Sequence, residues 1–266
     1  MSSDIVKAFI LGIVEGVTEF LPISSTGHLI LAGKALSFTG ESAKVFEIFI
    51  QLGAILSVVW LYRTKILSVV SDVGTKDANR FLTNLLIAFI PAAVIGLLTH
   101  SFIKKHLFGS FTVALALIIG GVLILIIERV VNPPRGERGG LEVDNITYRQ
   151  AFGVGLAQVL SLFPGVSRSG ATIMGGLIAG LDRKTATEFS FFLAIPTMFA
   201  ATSYDLLKNF RELSISDLPV FATGFIVSFI SALIVIKAFL GFVTKHNFSA
   251  FAYYRIIFGI LVLLLL

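Results

Sequence analysis

Residues 8–30 read AFILGIVEGVTEFLPISSTGHLI, and residues 151–173 read AFGVGLAQVLSLFPGVSRSGATI. The two stretches align without a gap at an offset of 143. Ala8, Phe9, Gly12, Phe20, Ser24, Gly27 and Ile30 are matched identically by Ala151, Phe152, Gly155, Phe163, Ser167, Gly170 and Ile173. Glu15 is paired with Gln158 and Thr26 with Ser169. Each copy is hydrophobic on both flanks and broken at its centre by a Pro/Gly/Ser/Thr cluster. A straight membrane span would not carry Pro22-Ile23-Ser24-Ser25-Thr26-Gly27 at mid-depth. Each copy (within Ile5–Leu36 and Thr147–Leu181) therefore reads as a helix–turn–helix hairpin that enters the membrane and returns. Non-helical backbone is tolerated at that depth only when it is buried in protein or faces water.

The rest of the chain sets the solvent. Apolar residues make up 56% of the 266 residues and charged residues 14%, and the mean hydropathy is +0.93. Soluble domains sit near about 45–50% apolar with about a quarter charged, so lipid is the natural surroundings. A spanning helix needs about 20 apolar residues. Six segments fit: Val45–Tyr62, Phe81–Leu98, Phe111–Ile127, Glu188–Leu207, Leu218–Leu240 and Phe248–Leu266. The expected fold is an all-α polytopic membrane protein, six transmembrane helices plus two re-entrant hairpins, forming a single membrane domain over residues 1–266. Three spans lie between the two copies. An odd number makes the second copy enter from the opposite side, which is an inverted-topology repeat. Repeat 1 runs over about 1–128 and repeat 2 over about 147–266, joined by a cytoplasmic loop, 129–146. Ile5–Leu21 resembles a signal peptide, but Glu15, Glu19 and Pro22 mark it as mature structure.

Charge agrees with this arrangement. The segments Arg63–Arg80 and Arg129–Arg149, with Arg183, Lys184 and Lys245, place eleven basic residues on one side. Lys7, Lys34, Lys44, Lys104, Lys105, Lys208 and Arg211 place seven on the other. The richer side is read as cytoplasmic, so the first hairpin opens outward. The net charge of +5 reflects topology; without a basic stripe or stacking platform it does not point to nucleic acid. Cysteine is absent, which removes disulfides and thiolate chemistry.

Chemistry-bearing residues cluster at the breaks. Glu15 and Glu19, at i and i+4, share one face of the first half-helix. They lie in its last turns, where the helix dipole is negative, so a cation is expected between them, either a divalent metal held by oxygen ligands or an arginine. Ser24, Ser25 and Thr26 precede an apolar run and read as N-cap residues of the second half-helix. Such an end binds phosphate. His28 stands one turn in, after Gly27. In the second copy Ser167-Arg168-Ser169-Gly170 puts a guanidinium at the hairpin tip, suited to bidentate phosphate recognition or to an ion pair with Glu15 or Glu19. Ser25, with His28 or a glutamate as base, and His28 itself are both nucleophile candidates. Glu47 and Glu188 stand at similar positions after each hairpin. Gln51 and Gln158 suit interhelical hydrogen bonds. Arg255 reads as a snorkelling residue near a helix end, and Tyr253 and Tyr254 as part of an interfacial belt.

EGVTEFLPISSTGH (15–28) with PGVSRSGAT (164–172) closely resembles the undecaprenyl-diphosphatase family, also called bacitracin-resistance proteins, and the resemblance covers essentially the whole chain. It implies an enzyme that hydrolyses undecaprenyl diphosphate to undecaprenyl phosphate at the outer face of the bacterial cytoplasmic membrane, recycling the carrier for wall polymers. By position, the family's acidic pair falls on Glu15 and Glu19, its hydroxyl and histidine cluster on Ser24, Ser25, Thr26 and His28, and its phosphate-binding arginine on Arg168 beside Ser167. The resemblance also implies a divalent cation, Mg2+ or Ca2+. The partners expected are the lipid diphosphate and membrane lipid, with no nucleic acid; a homo-oligomer is left open. A second class of membrane lipid phosphatase carries Lys-x6-Arg-Pro and Ser-Arg-x5-His motifs. Here position 174 is Met and the first motif is absent, so that mechanism does not transfer. The rival reading is an inverted-repeat transporter or a lipid flippase without hydrolysis, since broken helices are transporter architecture.

Overall fold

A computed structural model describes residues 2–107, 109–131, 142–209 and 217–265. The described residues form eleven α-helices and two short 3-10 turns. The first hairpin is α1 (Ser2–Thr18) and α2 (Ser25–Ala35), followed by α3 (Glu41–Leu61), α4 (Arg63–Ser71), α5 (Lys76–His106) and α6 (Ser110–Val130). The second hairpin is α7 (Tyr148–Val159) and α8 (Arg168–Ile178), followed by α9 (Arg183–Asn209), α10 (Leu218–Val243) and α11 (Ser249–Leu265). Both breaks fall where the sequence places them. Apart from α4, the elements recur in the same order after the 143-residue offset.

Among the described residues, five helices are long and apolar enough to cross a membrane: Ser42–Leu61, Lys76–Thr99, Ser110–Val130, Arg183–Lys208 and Leu218–Val243. The expected sixth, Phe248–Leu266, stands as an apolar helix of 17 residues, Ser249–Leu265. At ~1.5 Å per residue its described part reaches roughly 25 Å, at the lower end of what a span needs. Large apolar side chains face outward along these helices, among them Leu86, Ile90 and Leu97 on α5, Ile119 and Ile126 on α6, and Ile257 and Leu264 on α11. Polar residues such as Glu15, Ser57, Gln158, Ser190 and Arg255 are instead buried. This inversion suits a lipid solvent.

The two halves interlock. α1 packs along α10, and α7 packs along α5, so each hairpin's first helix lies against the other half; α3 meets α9, and α6 meets α11. Small residues allow the close approach. A Cβ on Gly16 would lie 2.5 Å from the Ser228 carbonyl oxygen, and one on Gly12 would lie 2.7 Å from that of Gly224. The matching Gly155 of α7 would meet Ala88 Cα at 2.8 Å.

One end of the bundle gathers the basic segments. Lys65 pairs with Asp144. Arg80 donates to the carbonyls of Asn145 and Ile146. Arg183 forms a two-bond pair with Glu128, and Glu128 also accepts from the Phe248 backbone N–H. The second hairpin opens at this end, where Gln150 near the start of α7 donates to the Ala179 carbonyl after α8. Arg135, Arg138 and Arg211 of the charge argument lie outside the described residues.

Candidate active site

The two hairpin tips meet inside the bundle. Ser169 Oγ donates to the Leu21 carbonyl at 2.8 Å, and Ser167 Oγ contacts the same oxygen at 3.4 Å and Ser169 Oγ at 2.9 Å. Ser167 also caps α8 by accepting from the Gly170 N–H at 3.1 Å. Gly170 keeps the packing close here: a Cβ there would sit 3.2 Å from Ser167 Cβ and 3.3 Å from Arg255 Nη1, tighter than most side chains accept.

The expectation for the first tip is corrected. Ser24 occupies the position before α2, but its side chain makes no capping bond, and its backbone is left-handed, at φ 70° and ψ 98°. A non-glycine residue held there costs of order 1–3 kcal/mol and marks a place where the surroundings impose the conformation. Ser25, the first residue of α2, does not cap either. Its Oγ donates to Glu19 Oε2 at 2.5 Å. Thr26 is half-buried beside it, and Gly27 is buried against Val113, Leu117 and Phe258.

Glu19 is the hinge between the tips. While Oε2 accepts from Ser25, Oε1 accepts from Arg168 Nη2 at 3.2 Å. Arg168 is further fixed through Nη1, which donates to the Ser190 carbonyl at 3.0 Å, and its guanidinium lies 5.7 Å from the Phe20 ring centroid. Of the two ion pairs open to Arg168, the structure holds the one with Glu19. Arg168 Nε is buried with no hydrogen-bond partner.

Glu15 is different. It is 0% exposed, and neither carboxylate oxygen has a hydrogen-bond partner. It lies within electrostatic reach of Glu19, Glu47 and Arg168. Its counterpart in the second hairpin shows what that position does when it is only structural. Gln158 donates to the Ala88 carbonyl on α5 and accepts from Thr197 on α9, at 3.2 Å each. An ionisable group buried with no partner is costly. Two unpartnered carboxylate oxygens next to a second glutamate form an oxygen donor set that suits a hard divalent cation.

His28 faces away from Ser25. Its Nδ1 is 2.7 Å from the Ser24 carbonyl oxygen and its Nε2 is 2.6 Å from the Tyr254 hydroxyl. Phe258 stacks on the imidazole at 4.1 Å.

One residue of α11 was misread from sequence. Arg255 does not snorkel: it is 2% exposed, two turns into α11. It donates to four carbonyls: Pro22 of the first tip at 3.2 Å, Gly165 of the second at 3.3 Å, and Ala116 and Leu117 of α6 at 3.1 and 3.3 Å. Room for it comes from Gly120, where a Cβ would lie 2.2 Å from Nη2. The signal was a lone arginine inside an otherwise apolar helix, which lipid would not tolerate unsatisfied. Tyr254, half-exposed, also bonds His28, a contact the sequence did not show.

Comparison with known proteins places this geometry. The family model described as bacitracin resistance protein BacA matches residues 8–261. The chain belongs to the BacA family. Among its relatives, a protein of Methylobacillus flagellatus named undecaprenyl-diphosphatase is 57% identical over 262 residues, covering 97% of each chain. One of the same name from Nitrosospira multiformis is 59% identical over 98% of this chain and 94% of its own. Another from Thermoanaerobacter sp. strain X514 is 53% identical over 98% of this chain and 96% of its own. The BacA model spans both hairpins, so the joined tips lie wholly within the matched region.

Proposed function

We infer that this protein is an integral membrane phosphatase that hydrolyses undecaprenyl diphosphate to undecaprenyl phosphate and inorganic phosphate, recycling the lipid carrier and giving bacitracin resistance. The observation that carries the reading, beside family membership, is the Ser25–Glu19–Arg168 chain across the two tips. It joins a hydroxyl, a carboxylate able to take its proton and a guanidinium able to hold phosphate. A transporter needs no such alignment of nucleophile and base, and a flippase without hydrolysis finds no support in the names of the relatives.

In this reading the diphosphate binds where the tips meet, its terminal phosphoryl group on Arg168, which swings part of its hydrogen bonding from Glu19 to substrate. Ser25 Oγ attacks the terminal phosphorus and its proton passes to Glu19. The bond between that phosphorus and the bridging oxygen breaks, and undecaprenyl phosphate leaves with the bridging oxygen. Water then attacks the phosphoserine, releases inorganic phosphate and restores Ser25. Positioning and charge stabilisation supply most of the acceleration in such transfers. Glu15 and Glu19 would hold Mg2+ or Ca2+, which supplies neutralisation of the diphosphate charge when bound. Apolar helix faces would hold the polyprenyl chain.

The experiment is phosphate release from undecaprenyl diphosphate by the purified protein in detergent, with and without chelator. The expected result is turnover that EDTA abolishes and Mg2+ or Ca2+ restores. Full turnover after exhaustive chelation removes the metal from the scheme, and no turnover under either condition removes the function.

The membrane arrangement belongs to the same proposal: an inverted repeat of 1–128 and 147–266 in the bacterial cytoplasmic membrane, two re-entrant hairpins, and a site open to the outer face. The gathering of Lys65, Arg80, Arg183 and the mouth of the second hairpin at one end supports it. Cysteines introduced at Thr75 and Gly139 should be labelled by an impermeant reagent only from the cytoplasm, and one at Lys105 only from outside. Labelling of Thr75 and Lys105 from the same side contradicts the arrangement.

A further inference from the structure

We propose that Tyr254 is a positioning residue for this reaction, acting through His28 to hold the strained Ser24 peptide and so to aim Ser25 at Glu19. The inference rests on the phosphatase reading above.

The argument begins with proton accounting on one imidazole. The Ser24 carbonyl oxygen has no proton to give, so at 2.7 Å His28 Nδ1 must be the donor. In the neutral ring Nε2 is then bare and accepts from the Tyr254 hydroxyl at 2.6 Å. Both ring nitrogens are occupied, and which one carries the proton is set by what the other bonds. Ring packing fixes the orientation. Tyr254 is nearly parallel to the imidazole, 3° between planes with centroids 5.6 Å apart, and Phe258 stacks at 4.1 Å and 8°.

The other end of this chain explains why a tautomer matters. The Ser24 carbonyl that receives the Nδ1 proton belongs to the left-handed residue, φ 70°. Nothing else in the tip does that work from the side chain, since Ser24 makes no capping bond. The matched residue Ser167 caps its helix in ordinary extended backbone, at φ −65° and ψ 125°. Only the first hairpin has a histidine at the fourth residue after this serine; the second has Ala171. The strain and the histidine therefore go together. Ser25 follows immediately, and its Oγ is the group that reaches Glu19. With its Nε2 lone pair covered by Tyr254, His28 is neither the attacking atom nor the base for Ser25 in this arrangement.

The test compares isosteres. An asparagine amide can stand in for Nδ1–H and a glutamine amide for Nε2. His28→Asn should therefore keep at least about 10-fold more kcat than His28→Gln, whereas a base or nucleophile role leaves both equally dead. Tyr254→Phe keeps the ring and loses the hydroxyl. It should lower kcat about 10-fold with KM within about twofold of wild type. Nitrogen-15 NMR of histidine-labelled protein, with His28 assigned by its loss in His28→Gln, gives a readout independent of turnover. Wild type should show the Nδ1–H tautomer and Tyr254→Phe a shift toward Nε2–H. An Nε2–H tautomer in the wild type, or a Tyr254→Phe enzyme with unchanged kcat and unchanged tautomer, overturns the inference. If the wild type releases no phosphate while its tautomer is Nδ1–H, the functional reading fails and the hydrogen-bond assignment stands.

Discussion

Ser25→Ala is expected to lower kcat by about 10^3-fold or more while the protein keeps its wild-type thermal stability. Loss of a covalent nucleophile removes the whole route, not one hydrogen bond along it. The substitution deletes one oxygen, which bonds Glu19, and Glu19 retains Arg168 through its other oxygen. The fold should therefore be untouched. Arg168→Lys is the companion measurement. It keeps the charge but not the planar fork, and that fork presently serves Glu19 and Ser190 at once. Turnover should fall whichever atom attacks. If Ser25→Ala turns over at close to the wild-type rate while Arg168→Lys is dead, Ser25 is not the nucleophile and activation of water becomes the leading route.

Arg255→Met is expected to have the largest effect on stability. One guanidinium holds carbonyls from both tips and from α6. Removing it leaves four carbonyls, three of them on buried residues, without this donor. A buried acceptor left unsatisfied costs about 1–3 kcal/mol, so losing this donor from several carbonyls at once should lower melting in detergent by roughly 10 °C. Arg255→Lys should not rescue, because a point ammonium cannot reach four carbonyls spread around a planar group. A melting temperature unchanged in Arg255→Met would mean that the tips hold together through Ser167, Ser169 and Leu21 alone. The two substitutions separate chemistry from scaffold: Ser25→Ala leaves a folded, inactive protein, and Arg255→Met loosens the site as a whole.

The hairpins were legible in the sequence because the signal is local. A proline or glycine break flanked by apolar runs, repeated with the same serine and glycine spacing, fixes where α1 ends and α2 begins, and likewise α7 and α8. The Glu15–Gln158 mismatch in that alignment was legible too: the structure gives the glutamine interhelical partners and leaves the glutamate none. Ion-pair choice was not legible, since Glu15 and Glu19 both face Arg168 until three-dimensional packing selects Glu19. The left-handed Ser24 was hidden for another reason. Glycine announces such a conformation and serine does not, so only the backbone angle in the folded structure reveals it. Arg255 and Tyr254 stand out in the sequence of α11, but their partners do not. What makes them part of the site is the meeting of α11 with α6 and both tips, a property of the fold that no window of sequence contains.

The central claim is that Ser25, aimed across the joined tips, takes the phosphoryl group from the lipid diphosphate. Rapid acid quench of the purified protein with terminally phosphorus-32-labelled undecaprenyl diphosphate, followed by peptide mapping, tests it most directly. The account predicts acid-stable label on the peptide containing Ser25, absent from Ser25→Ala and lost as inorganic phosphate appears. Base-stable, acid-labile label on His28, or label that persists on the enzyme when Ser25 is alanine, would contradict it.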